Sequence, residues 1–422
     1  MANRQARVVS RGGKATLRVL ASLRDSPKFR LLWISNLFFF GGVWTQTLVL
    51  GWIVFETTGS EFLLALYTAV RLLPLLLGPL GGVLSDRLDR VRLLIAACAW
   101  AFCAVSAVAM LVSLGHAPYW ALLLGGLAIG LAQSPSQPAR AALVLDLVGR
   151  DNLSNANALN AMAINLTQVI GPALGGTMIS TFGAPAALWI ATAWYALSLL
   201  TLLPLRSLAT ARHPHPESAW QMLAGGFRAV LASRLVSAVL LVTLAANILI
   251  WPVYQSFMPV FAVDVLHLDA AGLGWLLTCY GVGGLIGSVV VAGLGNFRFK
   301  GGLFVLGTGA WGLLWATFGL SQSAPLSFAL MVIIGIMTAP FIILQTTLLL
   351  MANPPEMQGR ALGMQELVIG IMPLSTLLIG VVAQEIGVGP TAVGCGLVLA
   401  ALMLILAVRV PELVRYSGLQ HP

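Results

Sequence analysis

The chain has 422 residues, of which 59% are hydrophobic and 9% charged, and its formal net charge is +9. Soluble domains carry about 25% charged residues, so this composition suits lipid rather than water as solvent. The basic residues sit in short polar gaps between long apolar runs and form no basic soluble domain, which argues against a nucleic-acid partner.

Residues 1–30 form a polar tail with eight Lys/Arg between Arg4 and Arg30. The apolar run from Leu31 is too long for a signal-peptide core and has no small-residue cleavage pattern behind it, so it reads as a first helix that stays. A span needs about 20 mostly apolar residues. Twelve segments qualify, at 31–55, 62–84, 92–114, 118–140, 156–181, 184–204, 236–262, 270–294, 302–320, 324–351, 361–385 and 390–410. The one long polar gap gives the organisation: tail 1–30, first bundle 31–204, linker 205–235, second bundle 236–410 and tail 411–422. In the linker, Trp220, Leu223, Phe227 and Leu231 recur at helical spacing. They form either an amphipathic helix on the membrane surface or an ordinary linker helix between the bundles.

Taken alternately, the gaps on one side hold 22 of the 23 Lys/Arg, and those on the other hold none. Basic loops stay cytoplasmic, so both termini are expected there, in a bacterial inner membrane. Cys98, Cys103, Cys279 and Cys395 lie inside apolar runs, outside any CxxC or Cys/His cluster, and read as packing residues. No phosphate-binding GxxxxGK[ST] loop, HExxH or GxSxG occurs, and the five histidines do not cluster, so no enzyme, metal or cofactor is expected.

The sharpest local pattern is Gly82-Val-Leu-Ser-Asp86-Arg87-Leu-Asp89-Arg90-Val-Arg92, between segments 2 and 3. Gly82 permits close approach of a neighbouring helix. Asp86, just past a helix end, can accept hydrogen bonds from a facing helix N-terminus, where the dipole favours an anion. Arg87 and Arg90 can pair with acids on nearby helix ends. Such contacts make a cytoplasmic latch; the plainer reading leaves the arginines as topology anchors. In segment 5, Gly171-Pro172-Ala-Leu-Gly175-Gly176 combines a missing helix hydrogen bond with residues that allow bending, or is simple small-residue packing.

Arg71 lies near the middle of segment 2, where a charge costs at least about 2.5–3.5 kcal/mol. It therefore faces protein, on the same stripe as Gly78 and Gly82, which lie within about 20° of it. It is either a cavity cation that holds an anionic group or tunes a carboxylate, or half of a structural pair. Glu366 is the only acid clearly within a span; it is either a proton-coupling carboxylate or a gate partner. Asn157, Asn160, Gln168, Gly171 and Gly175 form a polar stripe on segment 5, which faces protein or a water-filled cavity. Trp44 and Gln46, with Trp251, Tyr254, Gln255 and Gln345, are candidates to line the same cavity. Aromatics with a few amides suit amphipathic ligands.

The segment 2–3 pattern resembles the loop motif of the major facilitator superfamily, G-x-x-x-D-R-x-x-R, with Asp89 in place of the usual second glycine. The segment 5 pattern is similar to the core of that family's antiporter motif, although the upstream glycine is Thr167 here. Gly41-Gly-Val-Trp44-Thr-Gln46, Leu73-Pro74, Gln137-Pro-Ala-Arg140, Leu153-Ser-Asn-Ala-Asn157 and Leu362-Gly363 through Met372-Pro373 resemble the branch of siderophore and macrolide exporters. In that branch an acid often precedes the tryptophan at which Val43 stands here. The resemblance implies an all-α integral membrane fold of twelve transmembrane helices in two pseudo-symmetric six-helix bundles. It also implies a monomer, and places Asp86 against the start of segment 11, near Gly359–Gly363, with Arg140 and Asp146 in the gate's charge network. The function it implies is proton-coupled efflux of a small amphipathic compound by alternating access. The alternatives are a lipid or lysolipid flippase on the same fold and a non-transporting scaffold or sensor.

Overall fold

The structure, a computed structural model, describes residues 23–24, 26–77, 88–208, 233–295 and 297–417. Residues 78–87 lie outside it, and with them Gly82, Asp86 and Arg87; so does the expected linker helix. The described residues are helical apart from short connections, and no β-strand occurs among them.

The first helix, α1 (Pro27–Thr58), starts where Ser26 accepts the Phe29 N–H and Pro27 takes the first helical position, and ends at Gly59, whose φ is 57°. Serine caps, first-position prolines and left-handed glycines are the expected punctuation of helix ends. Next come α2 (Glu61–Leu72, with a 3₁₀ turn Leu73–Leu77) and α3 (Arg90–Ser113). The helical run Tyr119–Leu202 breaks only at Gly149 (φ 70°) and Gly183 (φ 85°), which divides it into α4 (119–148), α5 (150–182) and α6 (184–202). The second half contains α7 (Arg234–Leu249, continuing in short turns to Val265), α8 (Ala270–Leu294), α9 (Lys300–Leu320) and α10 (Ala324–Ala352). It closes with α11 (Pro355–Gly370 and Met372–Ile386), α12 (Val388–Arg409) and the short α13 (Pro411–Arg415).

Helices occur at all twelve expected segments in order; the second is described only to residue 77, and several others have longer ends. The fourth extends to residue 148 rather than 140, the fifth starts at 150 rather than 156, and the eleventh starts at 355 rather than 361. Apolar counting stops where the chain leaves hydrocarbon, whereas a helix carries its own hydrogen bonds into water. Only Gly149, in the left-handed region, stops the helix between α4 and α5.

Successive helices run antiparallel. At the distal end, where Gly59, Gly183 and Gly387 turn the chain, the Tyr119 hydroxyl donates to the Leu63 carbonyl (2.7 Å) and the Trp189 indole to Ser113 (3.1 Å). At the proximal end, Ser26 meets the Leu147 carbonyl, and the Tyr416 hydroxyl donates to that of Met351 at 2.9 Å.

Two antiparallel seams join the halves. On the α2–α11 seam, the Ser60 hydroxyl donates to Gln384 Oε1 at 2.7 Å and Phe62 N–H to the same oxygen at 3.2 Å. Ala65 packs against Gly380, and the Leu75 carbonyl lies 3.0 Å from where a Gly370 Cβ would be. On the α5–α8 seam, a Cβ on Gly176 would strike the Ala270 carbonyl, and one on Gly274 would come 2.5 Å from that of Pro172. Thr278 donates to the Val169 carbonyl (3.1 Å). Small residues and backbone contacts are how membrane helices come close without a hydrophobic driving force.

Candidate functional site

A cavity lies between the halves, lined by Trp44, Thr47, Leu48 and Gly51 of α1, Pro172 of α5, Tyr254, Gln255, Met258 and Pro259 of α7, and Leu273 and Leu277 of α8. Its volume is about 30 Å³. That holds one or two waters, whereas a drug-sized ligand needs about 300–1,000 Å³. The halves are therefore drawn together around it here.

Proline places the polar wall. Pro252 and Pro259 lack the N–H that would continue α7, which breaks into the short turns Trp251–Ser256 and Met258–Val260 and a π turn, Phe261–Val265. Tyr254 and Gln255 project from the first turn. The Tyr254 ring stacks on Tyr280 (4.3 Å, 29°) and meets Trp251 and Trp315 edge-on. Trp44, opposite, packs over Gly171, where a Cβ would lie 2.7 Å from that of Trp44. The Trp44 indole N–H is buried without a partner.

Arg71 is 4% exposed and lies behind this cavity's polar wall, bonded to two of its lining residues. Its guanidinium donates to Thr47 Oγ1 at 3.1 Å and, across the two halves, to Gln255 Oε1 at 3.4 Å. No carboxylate pairs with it among the described residues. Gly130 of α4 fixes its backbone, because a Cβ there would collide with the Arg71 carbonyl.

The other expected residues divide into groups. Gly171 and Gly175 face α1, where Thr45 donates to the Gly171 carbonyl at 3.2 Å, while Gly176 faces α8. The glycine–proline core is thus a three-helix junction of α1, α5 and α8. Gln168 meets α8 through its carbonyl, near Gly281. Gln46 is fully buried beside the cavity helices, with neither side-chain polar atom hydrogen-bonded. Asn160 lies nearer the proximal end, accepting from Asn36 at 2.5 Å. Glu366 is exposed on α11 and does not line the cavity, while its neighbour Gln365 turns inward to Thr346 at 3.0 Å.

Of the gate residues, Arg90 and Asp146 form an ion pair at 2.6 Å between α3 and α4. Arg140 does not join them. It is 1% exposed inside the first half, where its guanidinium donates to Asn36, to Ser35 at 3.3 Å and to Cys98 at 3.3 Å, and stacks over Phe39 at 4.3 Å. Six residues, almost two helical turns, separate Arg140 from Asp146 on α4: Asp146 meets the start of α3 at Arg90, while Arg140 reaches α1 and Cys98, eight residues further along α3. Asp89 caps α3 by accepting the Arg92 N–H at 2.9 Å. That gives the departure from the usual glycine a local structural role.

Sequence reasoning missed Thr47 and the distal Ser60–Gln384 contact, because a lone threonine and two helix-end polar residues carry no pattern. It also missed the α8 glycines. Gly272, Gly274, Gly281, Gly283, Gly284 and Gly287 crowd one helix, and that density was the available signal. Gly283 and Gly287 pack on the α10 backbone.

Two antiparallel seams, a cavity between the halves and proline-broken helices around it define a transporter of the major facilitator class. Solved structures agree on the fold: a peptide-transporting POT family protein superimposes with a TM-score of 0.76 at 12% identity, over 91% of this chain and 96% of that one. The nucleoside transporter NupG gives 0.68 at 16% identity, over 92% and 99%. The chain belongs to the transmembrane secretion effector family, whose model matches residues 18–417. It is 31% identical over 332 residues to the enterobactin exporter EntS of Shigella boydii, covering 77% of this chain and 78% of the relative. It is 25% identical over 381 residues to the multidrug efflux pump Tap of Mycolicibacterium fortuitum, covering 86% and 90%. The protein is a multi-pass membrane transporter and not an enzyme.

Proposed function

We propose that this transporter exports a small amphipathic compound across a bacterial inner membrane by alternating access, in exchange for protons and as a monomer. The observation that carries the reading is the cavity between the halves, walled by Trp44 and Tyr254 and sealed distally by the two seams. The relatives named as siderophore and multidrug exporters support the direction of transport and the cargo's size. The basic loops support cytoplasmic termini, which makes the proximal end cytoplasmic and the sealed distal end external.

The proximal ends of the seams fit this polarity. Asn157 and Glu366, toward the proximal end, are exposed. A carboxylate inside a span does not face lipid, so the exposure of Glu366 is best read as access to water from the cytoplasm. On this reading Glu366 takes and releases the coupling proton. Asp86, Arg87 and Arg90 latch the cytoplasmic side in the opposite state, with Asp146 orienting Arg90.

The test uses inside-out vesicles with an acid interior, in which antibiotics, dyes and siderophores are added singly to wild type, Asp86→Asn and Glu366→Gln. The expected result is proton release triggered by an exported compound in wild type and lost in Glu366→Gln. Transport that persists in Glu366→Gln removes that residue as the coupling acid. Wild-type transport without any proton flux removes antiport and brings lipid flipping or another ion forward.

A further inference from the structure

We infer that the compound this transporter carries is an anionic amphipath, and that Arg71 is the residue that selects its charge. The inference rests on the exporter reading above and adds the class of cargo.

The charge inventory of the cavity is one-sided. Its lining holds Thr47, Gln255, Tyr254 and Trp44 as polar or aromatic groups and no acid. Arg71, just behind that wall, donates to two of those residues and has no ion pair among the described residues. Glu366, the nearest acid by register on α11, lies proximally. The seam sets Leu75 beside Gly370 and Ala65 beside Gly380. The position opposite Arg71 is thus residue 374, and Glu366 is eight residues away, about 12 Å along the helix. A cationic drug entering the cavity meets a like charge with no counter-ion among the described residues. An anion meets an uncompensated guanidinium in a medium where charge interactions are far stronger than in water.

The present partners of Arg71 are weak competitors for it. Both are neutral oxygens, and the bond to Gln255 is long, at 3.4 Å. An ionised acceptor can take two parallel N–H bonds from a guanidinium, and it adds a charge–charge attraction that a neutral oxygen lacks. A carboxylate, sulfonate or phenolate therefore takes the guanidinium from Gln255. One more donor favours an anion: the indole N–H of Trp44, a lining residue, is buried and unpartnered. The aromatic faces of Trp44 and Tyr254 accommodate the apolar part.

The exchange also has a mechanical consequence. The Arg71–Gln255 bond joins the first half to the second at the level of the cavity. A substrate anion that replaces Gln255 removes one cross-half bond from the middle of the molecule, where the halves must part. Cargo charge and release of the halves are coupled through one side chain.

The experiment measures binding to the full chain in nanodiscs by fluorescence anisotropy. It uses dye pairs that share a scaffold and differ in charge: fluorescein against rhodamine 123, and 8-anilinonaphthalene-1-sulfonate against uncharged N-phenyl-1-naphthylamine. Each is titrated on wild type, Arg71→Lys and Arg71→Gln, with empty nanodiscs as the blank. The expected result is at least tenfold tighter binding of the anionic member of a pair to wild type. That preference is lost in Arg71→Gln and retained within a few-fold in Arg71→Lys. Because the wild-type comparison needs no variant, misfolding of Arg71→Gln does not spare the inference. Equal or stronger binding of the cationic or uncharged members by wild type overturns it, as does binding of none of the anions. So does an anion preference that survives in folded Arg71→Gln. The exporter reading is scored separately by proton release in vesicles: dye-driven release with no preference for anions sinks the charge assignment and leaves export standing.

Discussion

Gly176→Ala isolates the α5–α8 seam. In the present arrangement the added Cβ would collide with the Ala270 carbonyl and sit 2.9 Å from Gly274 Cα and 3.0 Å from its nitrogen. These are backbone atoms of a facing helix, so no side chain can rotate away and α8 itself must move. Overpacking of this kind costs about 1–3 kcal/mol. The cost falls only on the distally sealed state, because a rocking motion that opens the distal end separates Gly176 from Ala270. A bias of that size shifts a two-state equilibrium about 5- to 150-fold. Gly171→Ala is the control. Its Cβ would meet Trp44 at 2.7 Å and Thr45 N at 3.2 Å, both on α1 of the same half, so it strains both states alike. The assay places a cysteine at Met258, which lines the cavity and is 2% exposed, in a background lacking the four native cysteines. An impermeant thiol reagent is then applied from the distal side. The labelling rate tracks the distally open population and rises about 5- to 150-fold in Gly176→Ala, with little change in Gly171→Ala. An unchanged rate in a folded Gly176→Ala protein would refute the claim that this crossing holds the distal side shut.

Other residues give independent checks. Asp89→Ala removes the α3 cap and costs about 1 kcal/mol, whereas Asp89→Gly costs only a few tenths; thermal melting of the two variants orders them, and equal losses would mean that the cap is not what Asp89 contributes. Arg140→Lys keeps the charge but not the fan of bonds to Ser35, Asn36 and Cys98. It is expected to lower stability by about 1.5–3 kcal/mol, read as earlier thermal unfolding in detergent, and an unshifted melt would count against that network. The α2–α11 register pairs 60 with 384, 65 with 380 and 75 with 370. Carried on, it predicts that cysteines at Asp86 and Gly359 cross-link when the cytoplasmic side closes and that pairs shifted by four residues do not. Cross-linking of a shifted pair in preference would break the register argument.

Most of the architecture was legible because membrane helices declare themselves one at a time. Each apolar run of sufficient length must be helical to satisfy its backbone in lipid, and the basic gaps then count them. Helix ends beyond the hydrocarbon were not legible. The α4–α5 joint depends on one left-handed residue, Gly149, among polar residues that read as loop. The site was legible by residue type more than by partner. Arg71 had to face protein on energetic grounds, and it does. That its partners are Thr47 and Gln255 follows from the relative placement of α1, α2 and α7, which no local pattern encodes. Arg140 shows the reverse. The family resemblance suggested a network shared with Asp146, but almost two turns of helix send the two side chains to different partners.

The two seams explain how such a molecule stays closed and yet opens. In lipid, apolar surface gains little by meeting other apolar surface, since the acyl chains serve as well. Closure therefore rests on specific contacts that lipid cannot supply. On the α2–α11 seam these are the two hydrogen bonds that Gln384 accepts from Ser60 and Phe62, with Gly380 on Ala65. On the α5–α8 seam they are the backbone contacts of Gly176, Gly274 and Gly281 and the hydroxyl of Thr278. Each is worth about 1 kcal/mol or less in a bilayer, and the opposite state forms its own set at the other end. The difference between the states is then a few kcal/mol. That is small enough for one guanidinium changing partner in the middle, from an amide to an anion, to decide which set is made.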